Sequence, residues 1–390
     1  MTRGLYIHIP FCARKCFYCD FVITVKHAAG DRARFLSVLE KDLAQAARRY
    51  RHLSFATLYF GGGTPSLLTP DELRRIMAAI RHQFIIVPDA EITLELNPDD
   101  ASEEKLRAFR KYGINRISIG VQSFNDRLLQ QMGRLHDAEG ARRALRLIRE
   151  TGFTNVSADL ILRLPEQTAG DVRDSVGELI KAGVSQVVLY DLDVHEKTVY
   201  GLRQRQGRLP LPEEPLHREM FSAALTALEN AGFAQYEVSS FARPGFESKH
   251  NLIYWRNQDY LGLGPGAFSY LDGTRSQFAG NTTRYLEKCA ADDWQPDTAE
   301  IISPHNRQVE TLLTGLRLAE GIDLAQLPDL RNRLAEALPP FMEKELVQLK
   351  ENRLSMTREG RFIAETILSA LVTPCLDSGP VSVSPRGLTS

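Results

Sequence analysis

Six short runs of β-branched and aromatic residues punctuate the first two hundred positions: LYIHI (5–9), ATLYF (56–60), EITLEL (91–96), RISIGV (116–121), NVSADLI (155–161) and QVVLYDL (186–192). Between them lie stretches with apolar residues at helical spacing, at 33–49, 71–82, 103–112, 138–151 and 171–181. A strand followed each time by a helix does not return as a hairpin. The helix crosses back over the sheet, so the strands run parallel and the helices cover a face. The expected fold class is α/β, a partial (βα)6 TIM-like barrel. Six units fall short of the eight that close a complete barrel, and a doubly wound sheet is the competing arrangement.

After about residue 200 the rhythm breaks. RQRQGRLPLPEEP (203–215) reads as a linker of Pro, Gly and charge. A helical segment follows (216–231), then a Gly- and aromatic-rich stretch (236–278), and from 303 the pattern is helical again. LVQLKENRLSMTREGRFIAETIL (346–368) reads as helix, short hairpin and helix, a small winged-helix-like unit that completes an α+β extension. The expected organisation is a barrel over 1–202, a capping region over 203–302, a C-terminal helical domain over 303–372 and a flexible Ser/Pro/Gly-rich tail over 373–390.

The bulk numbers exclude several classes. A net charge of −1 argues against a nucleic-acid grip driven by counterion release, and the Arg clusters at 48–51 and 142–149 fall on helix faces. No run of about 18 apolar residues appears, so no membrane span is expected. MTRGLYIHIPF alternates like a strand and carries no signal-peptide pattern, and five cysteines, three of them crowded together, make no secreted disulfide framework. The chain reads as cytoplasmic, with Cys289 and Cys375 isolated and inert.

The three crowded cysteines carry chemistry. Cys12, Cys16 and Cys19 form C-x3-C-x2-C in FCARKCFYCDF, directly after the first strand, where barrel active sites are assembled. Structural zinc normally takes four ligands, and no second pair lies nearby; His8 sits within a strand. A redox pair of Cys16 and Cys19 leaves Cys12 unexplained. An iron–sulfur cluster with three protein ligands and one open iron uses all three. Gly61-Gly62-Gly63-Thr64-Pro65 ends the second strand, where glycines let backbone approach a ligand. Glu95, Gln122 and Asp159 recur at later strand ends, on the parity opposite to the apolar residues.

This array, with Tyr18 before its last cysteine, resembles the radical S-adenosylmethionine (SAM) superfamily. The resemblance implies a [4Fe-4S] cluster on Cys12, Cys16 and Cys19, with SAM on the fourth iron. The spacing of the whole set is similar to the oxygen-independent coproporphyrinogen III oxidase family over nearly the whole chain. By that resemblance Tyr6, Tyr18, Gly62, Gly63, Thr64, Glu95, Gln122, Arg134 and Asp159 contact SAM, with Arg134 of MGRLH on its carboxylate. One departure is Arg163 in DLILRLP, where relatives commonly have glycine.

Two features choose a branch within the family. The oxidase branch carries a further cysteine two positions after the third, whereas here Cys19 is followed by Asp20 and Phe21. KHNLIYWRNQDYLGLGPGAFS (249–269) contains His250-Asn251-x2-Tyr254-Trp255, which resembles the signature of a haem-chaperone branch. Imidazole ligates haem iron and aromatic rings pack on a macrocycle, so His250, Asn251, Tyr254 and Trp255 are the expected haem contacts. The expected function is binding of haem and its transfer to an apo-haemoprotein acceptor. The alternative is oxidative decarboxylation of a porphyrinogen. The oligomeric state stays open, a cluster- or SAM-dependent homodimer included.

Overall fold

The computed structural model describes residues 2–25 and 27–376. Six parallel strands occur in chain order, at Gly4–Ile9 (β1), Ser54–Gly62 (β2), Ile85–Leu96 (β3), Arg116–Gln122 (β4), Asn155–Leu162 (β5) and Gln186–Asp191 (β6). Helices Ala29–Tyr50, Pro70–Gln83, Glu103–Lys111, Ala138–Glu150 and Ala169–Ala182 join them, and Glu214–Asn230 follows β6. The sheet is longer than the repeat alone. Ala234–Gln235 (β7) and Ser240–Ala242 (β8) extend it beyond β6, while Tyr260–Leu263 (β9), Phe268–Leu271 (β10), Thr274–Gln277 (β11) and Thr298–Ile301 (β12) extend it beyond β1. Its order is β12-β11-β10-β9-β1-β2-β3-β4-β5-β6-β8-β7, an open sheet with a (βα)6 centre.

Alternation along the strands separates two environments. Ile7, Leu58, Phe60, Leu94, Ile117, Ile119, Ala158 and Leu189 belong to one parity and pack with helix residues such as Leu39, Ile76, Leu106 and Val176 into the main core. The other parity holds Tyr6, Tyr59, Thr93, Glu95, Arg116, Ser157, Asp159 and Gln186, all but Glu95 and Asp159 less than a tenth exposed. A barrel filled by Val, Ile and Leu would need no ligand. A polar interior needs partners for every group it buries.

β3 begins six residues before the expected start. Ser54 and Phe55 pair with Ile85 and Ile86, and the ladder then jumps so that Thr57 faces Glu91. The bulge accommodates Pro88 and Asp89, whose turn-like chemistry hides the first half of the strand. The helix expected over 171–181 also starts earlier, because Thr168 and Asp171 form a capping box.

The C-terminal segment has its own core, built by Leu312, Leu316, Leu334, Leu354, Ile367 and Leu371 around a three-stranded antiparallel sheet of Ile322–Asp323, Val347–Lys350 and Arg353–Met356. The hairpin expected within 346–368 is present, but no helix precedes it there: Leu346 leads straight into Val347–Lys350. The tail expected from 373 begins with a 3-10 turn, Thr373–Cys375, whose Cys375 is fully buried in this core; residues 377–390 lie outside the described residues. Among the described residues, no helix is long and apolar enough to cross a membrane.

Candidate cluster and cofactor site

The cysteine loop is held from three directions. Thr24 N–H donates to Pro10 O at 2.6 Å and Cys12 N–H to Thr24 O at 3.1 Å, which folds the loop back on itself. Phe17 N–H donates to Met132 O at 2.9 Å, and Tyr200 N–H donates to Phe17 O at 3.0 Å. Gly63 N–H and Thr64 N–H donate to Ile9 O and Phe11 O at 2.8 and 2.7 Å, so the glycine turn after β2 is zipped beneath the cysteines. A Cβ on Gly63 would sit 2.7 Å from Phe11 O, and one on Gly62 (φ +106°) would sit 2.4 Å from the His8 ring. Only glycine fits either place.

All three cysteines are free thiols. Cys12 Sγ lies 3.3 Å from Thr64 Oγ1, and Arg134 Nη1 donates to Cys16 Sγ at 3.5 Å. Burial pushes the Cys12 thiol up to about 11 and raises Cys19 as well, so thiolate here needs a positive partner. Among the described residues, no three Cys, His, Asp or Glu groups converge as ligands of a single ion do. A multi-iron cluster spans more space than one ion and does not require that convergence.

Arg134 is the hub behind the loop. Its Nη2 donates to Asn97 Oδ1 and to Gly120 O, both at 2.7 Å, and Asn97 Nδ2 donates to Thr64 Oγ1 at 3.1 Å. Asn97 was not among the expected site residues. The available signal was its parity, two positions after Glu95 and one residue past the end of β3, masked by the turn chemistry of Pro98-Asp99-Asp100.

Glu95 sits lower in the interior. Tyr59 OH donates to Glu95 Oε1 at 2.8 Å and Gly62 N–H to Oε2 at 3.1 Å. Burial pushes Glu95 up to about 7. Asp159, in register with Gly120 across the β4–β5 ladder, rises to about 7 by burial and then by the Glu95 charge. Asp159 Oδ1 and Gln122 Oε1 are buried without a hydrogen-bond partner among the described residues. Gln122 also holds a left-handed backbone, φ +69°, rarely adopted by a residue with a side chain. Tyr6 borders the same interior, its ring stacked 6.1 Å from Tyr59, and Tyr18 packs beside the Leu128, Leu129 and Met132 cluster. Two orphaned polar atoms, a glycine cradle and three free thiols at one end of the strands fit a polar ligand beside a thiolate-bound cluster.

The expected haem contacts are elsewhere. His250, Asn251, Tyr254 and Trp255 lie on the helix Lys249–Trp255, and His250 touches Thr57 and Gly4, at the amino ends of β2 and β1. His250 is 1% exposed, and both its ring nitrogens are engaged, Nδ1 with Thr57 Oγ1 at 2.7 Å and Nε2 with Tyr254 OH at 2.8 Å. Trp255 is buried beneath the Arg317 guanidinium, 5.0 Å from its ring. The helix turns His250 and Trp255 into the protein, while Asn251 and Tyr254 stay half-buried.

Comparison with known proteins agrees with the fold. Residues 6–179 match the radical SAM superfamily, and residues 302–363 match the HemN C-terminal domain. The chain is 33% identical over 378 residues to "Heme chaperone HemW" of Bacillus subtilis, covering 95% of this chain and 99% of that one. Likeness to "Heme chaperone HemW" of Synechocystis sp. is 35% over 380 residues, covering 94% and 91%. The structure of coproporphyrinogen III oxidase (HemN) from Escherichia coli superimposes with a TM-score of 0.84 at 22% identity, over 95% of this chain and 90% of that one, which speaks to the fold. With relatives this similar along their whole length, the chain belongs to the HemW family of the radical SAM superfamily.

Proposed function

We propose that this chain is a haem chaperone carrying a three-cysteine [4Fe-4S] cluster with SAM at the carboxyl ends of β1–β5. The observation that carries the reading is its full-length likeness to relatives named haem chaperones. Three free cysteines on the loop after β1 and the polar interior behind them support the cofactor part. Cys12, Cys16 and Cys19 would hold the cluster, and Gly62, Gly63, Thr64, Glu95, Gln122, Arg134 and Asp159 would surround SAM, with Tyr6 and Tyr18 at its borders. When bound and reduced, such a cluster would supply one electron to the SAM sulfonium.

The chain's own residues prepare that site. Arg134 brings a guanidinium donor to Cys16 Sγ, on the side of the loop that faces Gly120 and Asn97. Glu95 is oriented by Tyr59 and by the Gly62 amide, so its carboxylate faces a fixed direction. Haem is the cargo that the relatives' name supplies, and an apo-haemoprotein is the acceptor. Of the expected haem contacts, His250 and Trp255 are buried, while Asn251 and Tyr254 keep partial exposure. The absence of a cysteine at Phe21 supports the chaperone over the oxidase reading.

Anaerobically reconstituted protein tests the proposal. Expected are about four irons and four sulfides per chain, haem bound in addition with a Soret band, and passage of that haem to a haem-depleted haemoprotein. Conversion of coproporphyrinogen III by the reduced protein, or haem that is never released, overturns it.

A further inference from the structure

We infer that His250 is a positioning residue, which holds Tyr59 and through it the Glu95 carboxylate of the SAM pocket, and is not an axial ligand to haem iron. The inference rests on the SAM reading above, and its geometry is a continuous chain of contacts. The His250 ring stacks on Tyr59 with centroids 4.9 Å apart and planes 26° apart. Tyr59 OH then donates to Glu95 Oε1 at 2.8 Å. Two side chains, His250 and Tyr59, thus connect the helix Lys249–Trp255 to the carboxylate proposed to face SAM.

The imidazole is fixed on every side. Thr57 and Tyr254 occupy its nitrogens, so in the neutral ring one nitrogen donates and the other accepts. A Cβ on Gly4 would lie 3.0 Å from His250 Cε1, which leaves β1 in contact with the ring edge. The helix itself is pinned at its start, where Lys249 N–H and His250 N–H donate to Glu91 Oε2 and Oε1 at 3.1 and 3.0 Å. Burial, and then the Arg116 charge, lower the His250 ring to about 3, so it stays neutral.

An axial ligand needs a nitrogen lone pair open toward a planar macrocycle. To offer one, His250 would have to break from Thr57 or Tyr254 and leave a buried hydroxyl unpaired, with no opening at the ring. A stacking platform, by contrast, uses the ring face and needs the nitrogens tied. Two of the motif residues then have one coherent use: on a helix held by Ser248 and Glu91, Tyr254 fixes the imidazole, and the imidazole fixes Tyr59.

The test compares full-length, cluster-reconstituted wild type with His250→Ala, His250→Gln and Tyr59→Phe, each loaded with haem in parallel. SAM affinity is followed by equilibrium dialysis and by the change SAM causes in the reduced cluster's electron paramagnetic resonance. Haem ligation is followed by the Soret band and the ferric haem g-values. Expected is a roughly tenfold loss of SAM affinity in His250→Ala and Tyr59→Phe with haem spectra unchanged, and partial recovery in His250→Gln, whose amide both donates and accepts. Loss of a nitrogen ligand from the haem spectra of His250→Ala overturns the inference. So does wild-type SAM affinity in folded His250→Ala, whatever Tyr59→Phe shows. If wild type itself shows no SAM response, the SAM reading fails first and the inference falls with it. Tyr59→Phe keeps the ring and isolates the hydroxyl's bond to Glu95. If His250→Ala does not fold, His250→Gln carries the test, and wild-type SAM affinity in it together with a lost haem nitrogen ligand overturns the inference.

Discussion

Arg134 Nη2 and Asn97 Oδ1 lie 2.7 Å apart, and this contact links Cys16 to Cys12 through side chains outside the cysteine loop. From Asn97 the path runs to Thr64 and Cys12; from the other arm of Arg134 it runs to Cys16. A guanidinium can serve Asn97, Gly120 and Cys16 together because its donors diverge in one plane. An ammonium is a point charge and cannot. Arg134→Lys should therefore lower SAM affinity by about tenfold or more, equivalent to ~1.5–3 kcal/mol for hydrogen bonds to a charged group. Asn97→Ala should make the cluster more labile by freeing Thr64 and Arg134 at once. Iron content after gel filtration and SAM binding check both. Full iron and unchanged SAM affinity in the two variants would mean the path is incidental.

Arg163 adopts φ +60° in the turn that follows β5, and its Nε is buried without a partner among the described residues. A side chain in the left-handed region costs about 1–2 kcal/mol, which glycine avoids at the expense of a more flexible unfolded chain. Arg163→Gly should raise stability by about 1 kcal/mol, visible as a higher denaturant midpoint for the main transition. A lower midpoint would show that the guanidinium contributes contacts worth more than the backbone strain.

The SAM pocket should respond to pH. Burial holds Glu95 and Asp159 near 7, so below that value both carry protons and offer no negative charge to a sulfonium or ammonium. As pH rises through 7 they ionise, and attraction for the positive end of SAM appears. SAM affinity should increase by about tenfold between pH 6 and pH 8, measured where cluster absorbance is constant. Glu95→Gln should flatten that profile. An equally steep profile in Glu95→Gln and Asp159→Asn would place the titrating group elsewhere.

Much of this was legible in the sequence because strand parity is a local property. Glu95, Gln122 and Asp159 each break an apolar alternation, and all three lie in the polar interior or at its rim. The placing of Cys12, Cys16 and Cys19 together on the loop after β1 was legible from their spacing. What escaped depends on contacts between distant segments. Arg116 reads as an ordinary charged residue opening a strand, yet it is 2% exposed because Nη2 reaches Gln186 Oε1 across β5 at 2.6 Å. His250 reads as an open imidazole because Thr57, its partner, is 193 positions away. Strands of two to four residues, such as β7 to β12, are too short to show a period.

Asp42 gives a stability prediction far from the pocket. It lies on the helix Ala29–Tyr50, and its Oδ2 accepts from Tyr285 OH at 3.0 Å and from Gly264 N–H at 3.1 Å, tying that helix to the glycine loop after β9. Burial raises it from 3.8 to about 6, with the two hydrogen bonds opposing. An acid whose pKa is raised on folding binds its proton more tightly in the folded state. Its contribution to stability is therefore fully present below about pH 4 and is lost as pH climbs to about 6, by an amount near 3 kcal/mol at one pKa unit per ~1.4 kcal/mol. Asn in its place keeps an oxygen for both donors and cannot ionise. Asp42→Asn should unfold at a higher temperature than wild type at pH 8, and the gap should shrink toward pH 4. Thermal melts at the two pH values decide it: a constant gap, or a less stable Asp42→Asn at pH 8, would mean that Asp42 is ionised without penalty.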